Sequence, residues 1–82
     1  MTATSHAHET PLLDCLGKAC PVPVIELAKA VPGLEVGHEI IVVADDPGAK
    51  VDIPVWCRMK RHELVAVEQD GAEFRFTVRR SH

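Results

Sequence analysis

The sequence predicts an α/β (α+β) two-layer sandwich, with two helices packed on a mixed four-stranded sheet in the order β-α-β-α-β-β. Short apolar runs typical of strands alternate with two segments of helical periodicity. An Asp-Gly pair between the last two runs indicates a hairpin. The chain has 82 residues, close to the lower limit for independent folding, which favours a single core between two layers.

The first strand and the first helix are separated by a glycine turn. Leu12 to Leu16 form a short apolar run that predicts the strand. From Pro21 onward, apolar residues recur at the spacing of one helix face: Val24, Leu27, Ala28 and Val31. Pro32-Gly33 ends this predicted helix.

The second strand and the second helix follow directly. Glu39 to Asp45 are almost continuously apolar, which predicts a central strand covered on both faces. Asp46 is expected to cap the next helix, with Pro47 in its first position. Pro54 either kinks this helix or marks a second start capped by Asp52. One helix face is predicted to be buried: Ala49, Ile53, Trp56 and Cys57.

Two final strands are predicted at Glu63 to Glu68 and Glu73 to Arg79, joined through Gln69-Asp70-Gly71-Ala72. Apolar and polar residues alternate in the last strand, so one of its faces is expected to be charged. The arginines of this region either form a solvated face or contact an acidic partner or RNA: Arg75, Arg79 and Arg80.

Composition narrows the possible functions. The chain is 46% hydrophobic and 26% charged, as in an ordinary globular domain. Its formal net charge of −3 argues against a general nucleic-acid-binding surface. Three cysteines, an odd number without close pairing, do not indicate a disulfide framework and favour a reducing compartment.

The domain organisation is expected to be simple. Residues 1–10 are polar and without periodicity, and are predicted to be a disordered leader before a single domain at residues 11–82. They resemble neither a signal peptide nor a membrane anchor. The longest apolar run, Ile40 to Ala44, is too short to span a bilayer, so we expect a cytoplasmic protein without membrane contact.

The strongest functional signal is Cys20, predicted to lie between the turn at Gly17 and the first helix. A helix N-terminus favours an anion such as thiolate. Pro21 suits the first helical position, but Pro21 and Pro23 both lack the N–H group that could bind this anion. Val22 and Val24 can still donate, and Lys18 adds a nearby positive charge. These features predict an accessible, moderately acidified thiol.

The motifs of the chain resemble those of the TusA/SirA/YedF-like small sulfurtransferases, from about Leu12 to Arg80. The matching elements are Asp14-x-x-Gly17-x-x-Cys20-Pro21-x-Pro23, Asp46-Pro47, Asp52-Ile53-Pro54-x-x-Cys57 and His62-Glu63-Leu64. The resemblance implies a fold like the C-terminal domain of translation initiation factor 3. It also implies that Cys20 carries a persulfide from a cysteine desulfurase or rhodanese to a downstream acceptor protein, as transient covalent cargo without a metal or organic cofactor.

Around this cysteine, Gly17, Lys18, Pro21 and Pro23 are the expected supporting residues. A possible surface near the thiol is formed by Asp46, Pro47 and Asp52. On the second helix, a stripe opposite the buried face is a candidate docking patch if it is exposed: Val51, Val55 and Met59.

Other assignments stay open. Cys15 is expected in the core, with a resolving thiol for Cys20 as the alternative, and Cys57 and Trp56 are expected in the core. His62 either acts as a base or simply ends the helix. The main alternative to sulfur transfer is a non-enzymatic protein-binding or regulatory module of the same fold. RNA binding is disfavoured by the charge and by the few aromatic residues.

Overall fold

The computed structural model describes residues 10–82, so the predicted leader lies outside the described residues except for Thr10. The strands and helices follow the predicted order: β1 (Leu12–Cys15), α1 (Val22–Ala30), β2 (Glu39–Ala44), α2 (Ala49–Lys60), β3 (Glu63–Asp70) and β4 (Glu73–Arg79). A short 3-10 turn, Val31–Gly33, follows α1. Among the described helices, none combines the length and the apolar character needed to cross a bilayer.

The four strands form one mixed sheet in the order β1-β2-β4-β3. β1 runs parallel to β2, whereas β2 and β3 are both antiparallel to β4. The two helices pack on each other and on the sheet, with α1 over β1 and β2 and α2 over β3 and β4. The predicted two-layer sandwich is confirmed. Because β1 and β2 are parallel, the segments that follow them emerge at the same edge of the sheet.

The core lies between the helices and one face of the sheet. Its fully buried side chains include Phe76, Leu27, Ile53, Val42 and Val78. On α1, the buried stripe runs Pro23, Leu27 and Val31, at the i, i+4, i+8 spacing. The prediction for Ala28 is therefore wrong: it follows Leu27 by one residue, about 100° around the helix, and is exposed.

β2 is central, as predicted, but helices cover only one of its faces. Its core face carries Ile40, Val42 and Ala44. On the opposite face Val43 is nevertheless only 4% exposed. Its cross-strand neighbours are Asp14 and Arg75, so strand neighbours rather than a second helical layer provide the cover. The apolar run reflected a central position, not a third layer.

The C-terminal hairpin is tighter than the sequence suggested. β3 continues to Asp70, which pairs with Glu73, so the loop consists of Gly71 and Ala72 alone. Gly71 has a φ of +62°, a conformation that glycine adopts without strain.

Arg79 of β4 forms ion pairs with both neighbouring strands, β2 and β3. Its guanidinium nitrogens lie 2.7 Å from a Glu39 oxygen on β2 and 2.9 Å from a Glu63 oxygen on β3. These glutamates are also its cross-strand partners. Arg79 therefore has a structural role within the sheet.

Candidate functional site around Cys20

The turn after β1 is held by backbone hydrogen bonds to two aspartates. The Leu16 N–H donates to Asp14 Oδ1 at 3.0 Å. Gly17 has a φ of +76°, and its N–H donates to Oδ1 and Oδ2 of Asp45 at 3.0 and 3.2 Å. Asp45 directly follows β2. The Gly17 turn is thus tied to the end of the neighbouring parallel strand.

Cys20 lies just before α1, one position further from the helix than predicted. Pro21 is the N-cap residue, its carbonyl accepts from the Ile25 N–H at 3.0 Å, and the Cys20–Pro21 peptide bond is cis. The Val22 N–H, expected to be free for the thiolate, donates to the Ala19 carbonyl at 3.0 Å. Pro23 has no N–H to offer. The start of α1 is therefore a weaker anion site than the sequence suggested.

Asp46 connects the Cys20 segment to the start of α2. Its Oδ2 accepts hydrogen bonds from the Cys20 N–H at 3.3 Å and from the Gly48 N–H at 3.0 Å. α2 begins at Ala49, later than an Asp46 cap predicts, although Asp46 does bond the N–H two residues ahead. The helix is continuous through Pro54, so a second start capped by Asp52 is wrong.

Gly48 allows these groups to approach closely. A Cβ atom at this position would lie 2.8 Å from Asp46 Oδ2 and 3.3 Å from Cys20 Sγ. The carboxylate and the sulfur therefore border the same small space. The tight turn indicated by Asp46-Pro47-Gly48 is the one sequence signal that could have suggested this contact.

The electrostatics at the thiol oppose the predicted acidification. The pKa of Cys20 is raised from 9.0 to about 11. Burial is the largest cause. A hydrogen bond and Coulomb repulsion from Asp52 come next, followed by the same two effects from Asp46. A full negative charge outweighs a helix end of roughly half a charge, particularly when the sulfur lies outside the cap. Lys18 instead lowers the pKa of Cys15, which burial raises overall.

Cys20 is half-buried, and its two chain neighbours, Pro21 and Ala19, line two different surface depressions. An apolar groove of about 260 Å³ is lined by Pro21, Val24, Asp52, Val55, Trp56 and Met59. A polar cleft of about 340 Å³ is lined by Gly17, Lys18, Ala19, Asp45 and Asp46. The structure thus brings Asp46 and Asp52 to the Cys20 region. Pro47 is exposed, and its carbonyl accepts from the Lys50 N–H at 3.1 Å, so its role is in the turn.

The other singled-out residues have structural environments. Cys15 is 0% and Cys57 1% exposed, both within the core. Trp56 is half-buried and forms one wall of the apolar groove rather than lying wholly in the core. Its indole lies 5.6 Å from the His62 ring.

His62 follows the left-handed C-cap residue Arg61 at the end of α2. Its Nδ1 accepts from the Ser81 N–H at 3.1 Å, and its ring stacks on His82 at 4.7 Å. Burial, then the charges of His82 and Arg80, lowers the pKa of His62. These contacts support the helix-end assignment. Within residues 10–82, no group of three or more metal-ligating side chains is arranged to hold an ion.

Comparison with known proteins supports the fold and a family. The family model described as sulfurtransferase TusA matches residues 12–80. A solved structure of a SirA-like protein from Desulfitobacterium hafniense superposes with a TM-score of 0.77, covers 89% of this chain and 100% of its own, and is 24% identical in sequence. That protein has the same fold of two helices on a mixed four-stranded sheet.

Proposed function

The chain belongs to the TusA sulfurtransferase family, and from this premise we propose that it is a sulfur carrier whose Cys20 accepts and relays a persulfide sulfur. The main support is the contrast among the three cysteines. Cys15 and Cys57 are sealed in the core, whereas Cys20 is partly exposed at the edge where the ends of β1 and β2 meet. A relay residue must be reachable by its partners, and Cys20 is the one that meets this requirement.

In the proposed uptake step, a lone pair of the Cys20 sulfur attacks the outer sulfur of a donor's cysteine persulfide. A new S–S bond forms on Cys20, and the electron pair of the old S–S bond leaves with the donor's cysteine sulfur. The proton lost by Cys20 ends on that released sulfur. The transfer is therefore redox-neutral, and it is reversed at an acceptor.

The donor is proposed to be a cysteine desulfurase or a rhodanese, and the recipient a downstream sulfur-acceptor protein. A reducing compartment such as the cytoplasm suits this chemistry, because free thiols persist there. Gly17, Asp46 and Gly48 support the site by fixing the two loops beside Cys20. The persulfide itself is the transient cargo.

A non-enzymatic binding or regulatory module remains the second candidate, and one observation favours it. With a pKa raised to about 11, the Cys20 thiol of the free protein is mostly protonated near neutral pH and is a poor nucleophile. Sulfur transfer by the free protein is therefore expected to be slow unless a partner changes the surroundings of the thiol.

Sulfur loading distinguishes the two functions. The protein is incubated with a cysteine desulfurase and cysteine, and its intact mass is measured. We expect wild type to gain one sulfur atom, Cys20→Ser to gain none, and the matched control Cys15→Ala to load like wild type. If wild type stays unloaded while a partner binds wild type and Cys20→Ser equally well, the binding module is the better account.

A further inference from the structure

Two carboxylates beside Cys20 lack a cationic partner within the described residues. The ion pairs of residues 10–82 join Arg79 to Glu39 and Glu63, and His38 to Glu35. Neither Asp46 nor Asp52 takes part in them. Asp46 is half-buried and is fixed by backbone N–H groups, so its charge cannot easily swing away from the sulfur. The site therefore has an excess of negative charge where sulfur must become an anion.

The apolar groove is lined by one of these two carboxylates, Asp52. Asp52 lies in the first turn of α2 and lines the groove together with Pro21, next to Cys20. Further along α2, the groove wall is formed by Val55 and Met59, which are 36% and 71% exposed. Val51 is 63% exposed on the same helix. The predicted docking stripe is thus exposed, and it combines apolar walls with a carboxylate near the thiol.

We propose, building on the proposed sulfur-carrier function, that this groove receives a lysine or arginine side chain of a partner protein, whose charge offsets Asp52 and Asp46 and releases the Cys20 thiol for reaction. The aliphatic stem of such a side chain would contact the apolar walls while its charged end meets Asp52. The charge complementarity selects a cationic occupant, since an anionic side chain would add to the existing repulsion.

The partner's cation would shift the Cys20 thiol from its protonated form towards the thiolate. A carboxylate close to the thiol stabilises the S–H form, and a cation at the same place stabilises the thiolate. Ionisation of Cys20 is then favoured only within the complex, and its proton ends on the donor's released cysteine sulfur as described above. The free carrier stays protected from unspecific electrophiles, and the partner's own residue activates it.

Charged thiol reagents test the groove without any donor protein. A cationic trimethylammonium-ethyl methanethiosulfonate and an anionic sulfonate-ethyl methanethiosulfonate each form a mixed disulfide with Cys20 and release a sulfinate. We expect wild type to react faster with the cationic reagent, by roughly tenfold or more, because the carboxylates attract it. The Asp52→Asn variant should show a clearly smaller ratio, because the cationic reagent loses an attraction and the anionic reagent loses a repulsion.

The matched control is Asp70→Asn, which removes the same charge at the end of β3, the strand furthest from β1 and outside the lining of both depressions, and should keep the wild-type ratio. The proposal is overturned if Asp52→Asn retains the wild-type ratio, if Asp70→Asn lowers the ratio equally, or if the anionic reagent reacts faster with wild type. Working with the ratio removes the effect of a general change in thiol acidity.

A second measurement uses the donor. With a cysteine desulfurase, Asp52→Asn should need a higher donor concentration for half-maximal loading rate than wild type or Asp70→Asn, because it loses attraction for the partner's cation. An unchanged half-saturating concentration would contradict the proposal. If no protein loads at all, the sulfur-carrier function itself fails, and the charged reagents still decide the inference on the groove.

Discussion

Cys20 of the free protein is expected to react more slowly with a neutral disulfide reagent than the same cysteine in an unfolded peptide. Folding changes the reactivity of the thiol because it places the Cys20 sulfur beside Asp52 and Asp46. At about pH 8.5, a thiol with a pKa of about 11 is roughly 0.3% ionised, against roughly 24% for an ordinary value of 9.0. The thiolate population is therefore roughly 80-fold smaller in the folded protein.

A more basic thiolate is a better nucleophile, which offsets part of this loss. With a Brønsted slope of about 0.45, a rise of about 2 in pKa increases the intrinsic rate roughly eightfold. The net expectation is a rate roughly tenfold lower than that of the unfolded reference, and steric shielding lowers it further.

The assay is the initial rate with 4,4′-dithiodipyridine, followed by absorbance. The reference is a synthetic peptide of residues 16–25, in which Cys20 is the only cysteine. In the folded protein Cys15 and Cys57 are 0% and 1% exposed, so the first phase reports on Cys20. A folded protein that reacts faster than the peptide would refute this reasoning, because it would show an acidified thiol that the carboxylates do not control.

Three further predictions concern the loops, the pH dependence and the core. Asp46→Ala removes the acceptor of two backbone N–H groups and should lower the free energy of unfolding by about 2–3 kcal/mol, measured by urea denaturation. Asp46→Asn keeps an oxygen acceptor and should lose less. Equal losses in the two variants would contradict the hydrogen-bond explanation. Because folding raises the pKa of Cys20, its contribution to stability is complete below about pH 9 and is lost as pH rises through about 11. Burial raises the pKa of Cys57 to about 11 as well, so Cys20→Ser should reduce the slope of the urea midpoint in this range without abolishing it, and an unchanged slope would argue against the shift of Cys20. Phe76→Ala, at a fully buried site, should cost about 3–5 kcal/mol in the same urea assay, and a loss below about 1 kcal/mol would contradict the assigned core. Exposed Val67 of the same sheet offers the control, since Val67→Ala should change stability by less than about 1 kcal/mol.

The fold could be predicted because its signals are local. The i, i+4 apolar stripes of the helices and the Asp70-Gly71 pair each constrain a short segment, and together they determined the order of elements. The wrong predictions concern features that depend on tertiary packing. Ala28 was placed on the core face because the period alone cannot fix the helix rotation, and the apolar run of β2 could not distinguish cover by helices from cover by strand neighbours.

The site was predicted less completely, for an electrostatic reason. Cys20 and its aspartates are 26 and 32 residues apart in sequence, and the contact exists only because parallel β1 and β2 end at the same edge. A sequence shows the local helix end beside Cys20, but not the two carboxylates that the loop after β2 and the first turn of α2 bring to it. It therefore predicted the position of the thiol and gave the wrong sign for its pKa shift.

The position of the transferred sulfur tests the central claim most directly. After loading with a cysteine desulfurase and cysteine, and capping with an alkylating reagent, tryptic peptides are analysed by mass spectrometry. Cleavage after Lys18 and Lys29 isolates residues 19–29, which contain Cys20 alone. The account predicts one extra sulfur, removable by a reductant, on this peptide. Extra sulfur on the peptides of Cys15 or Cys57 instead would contradict it.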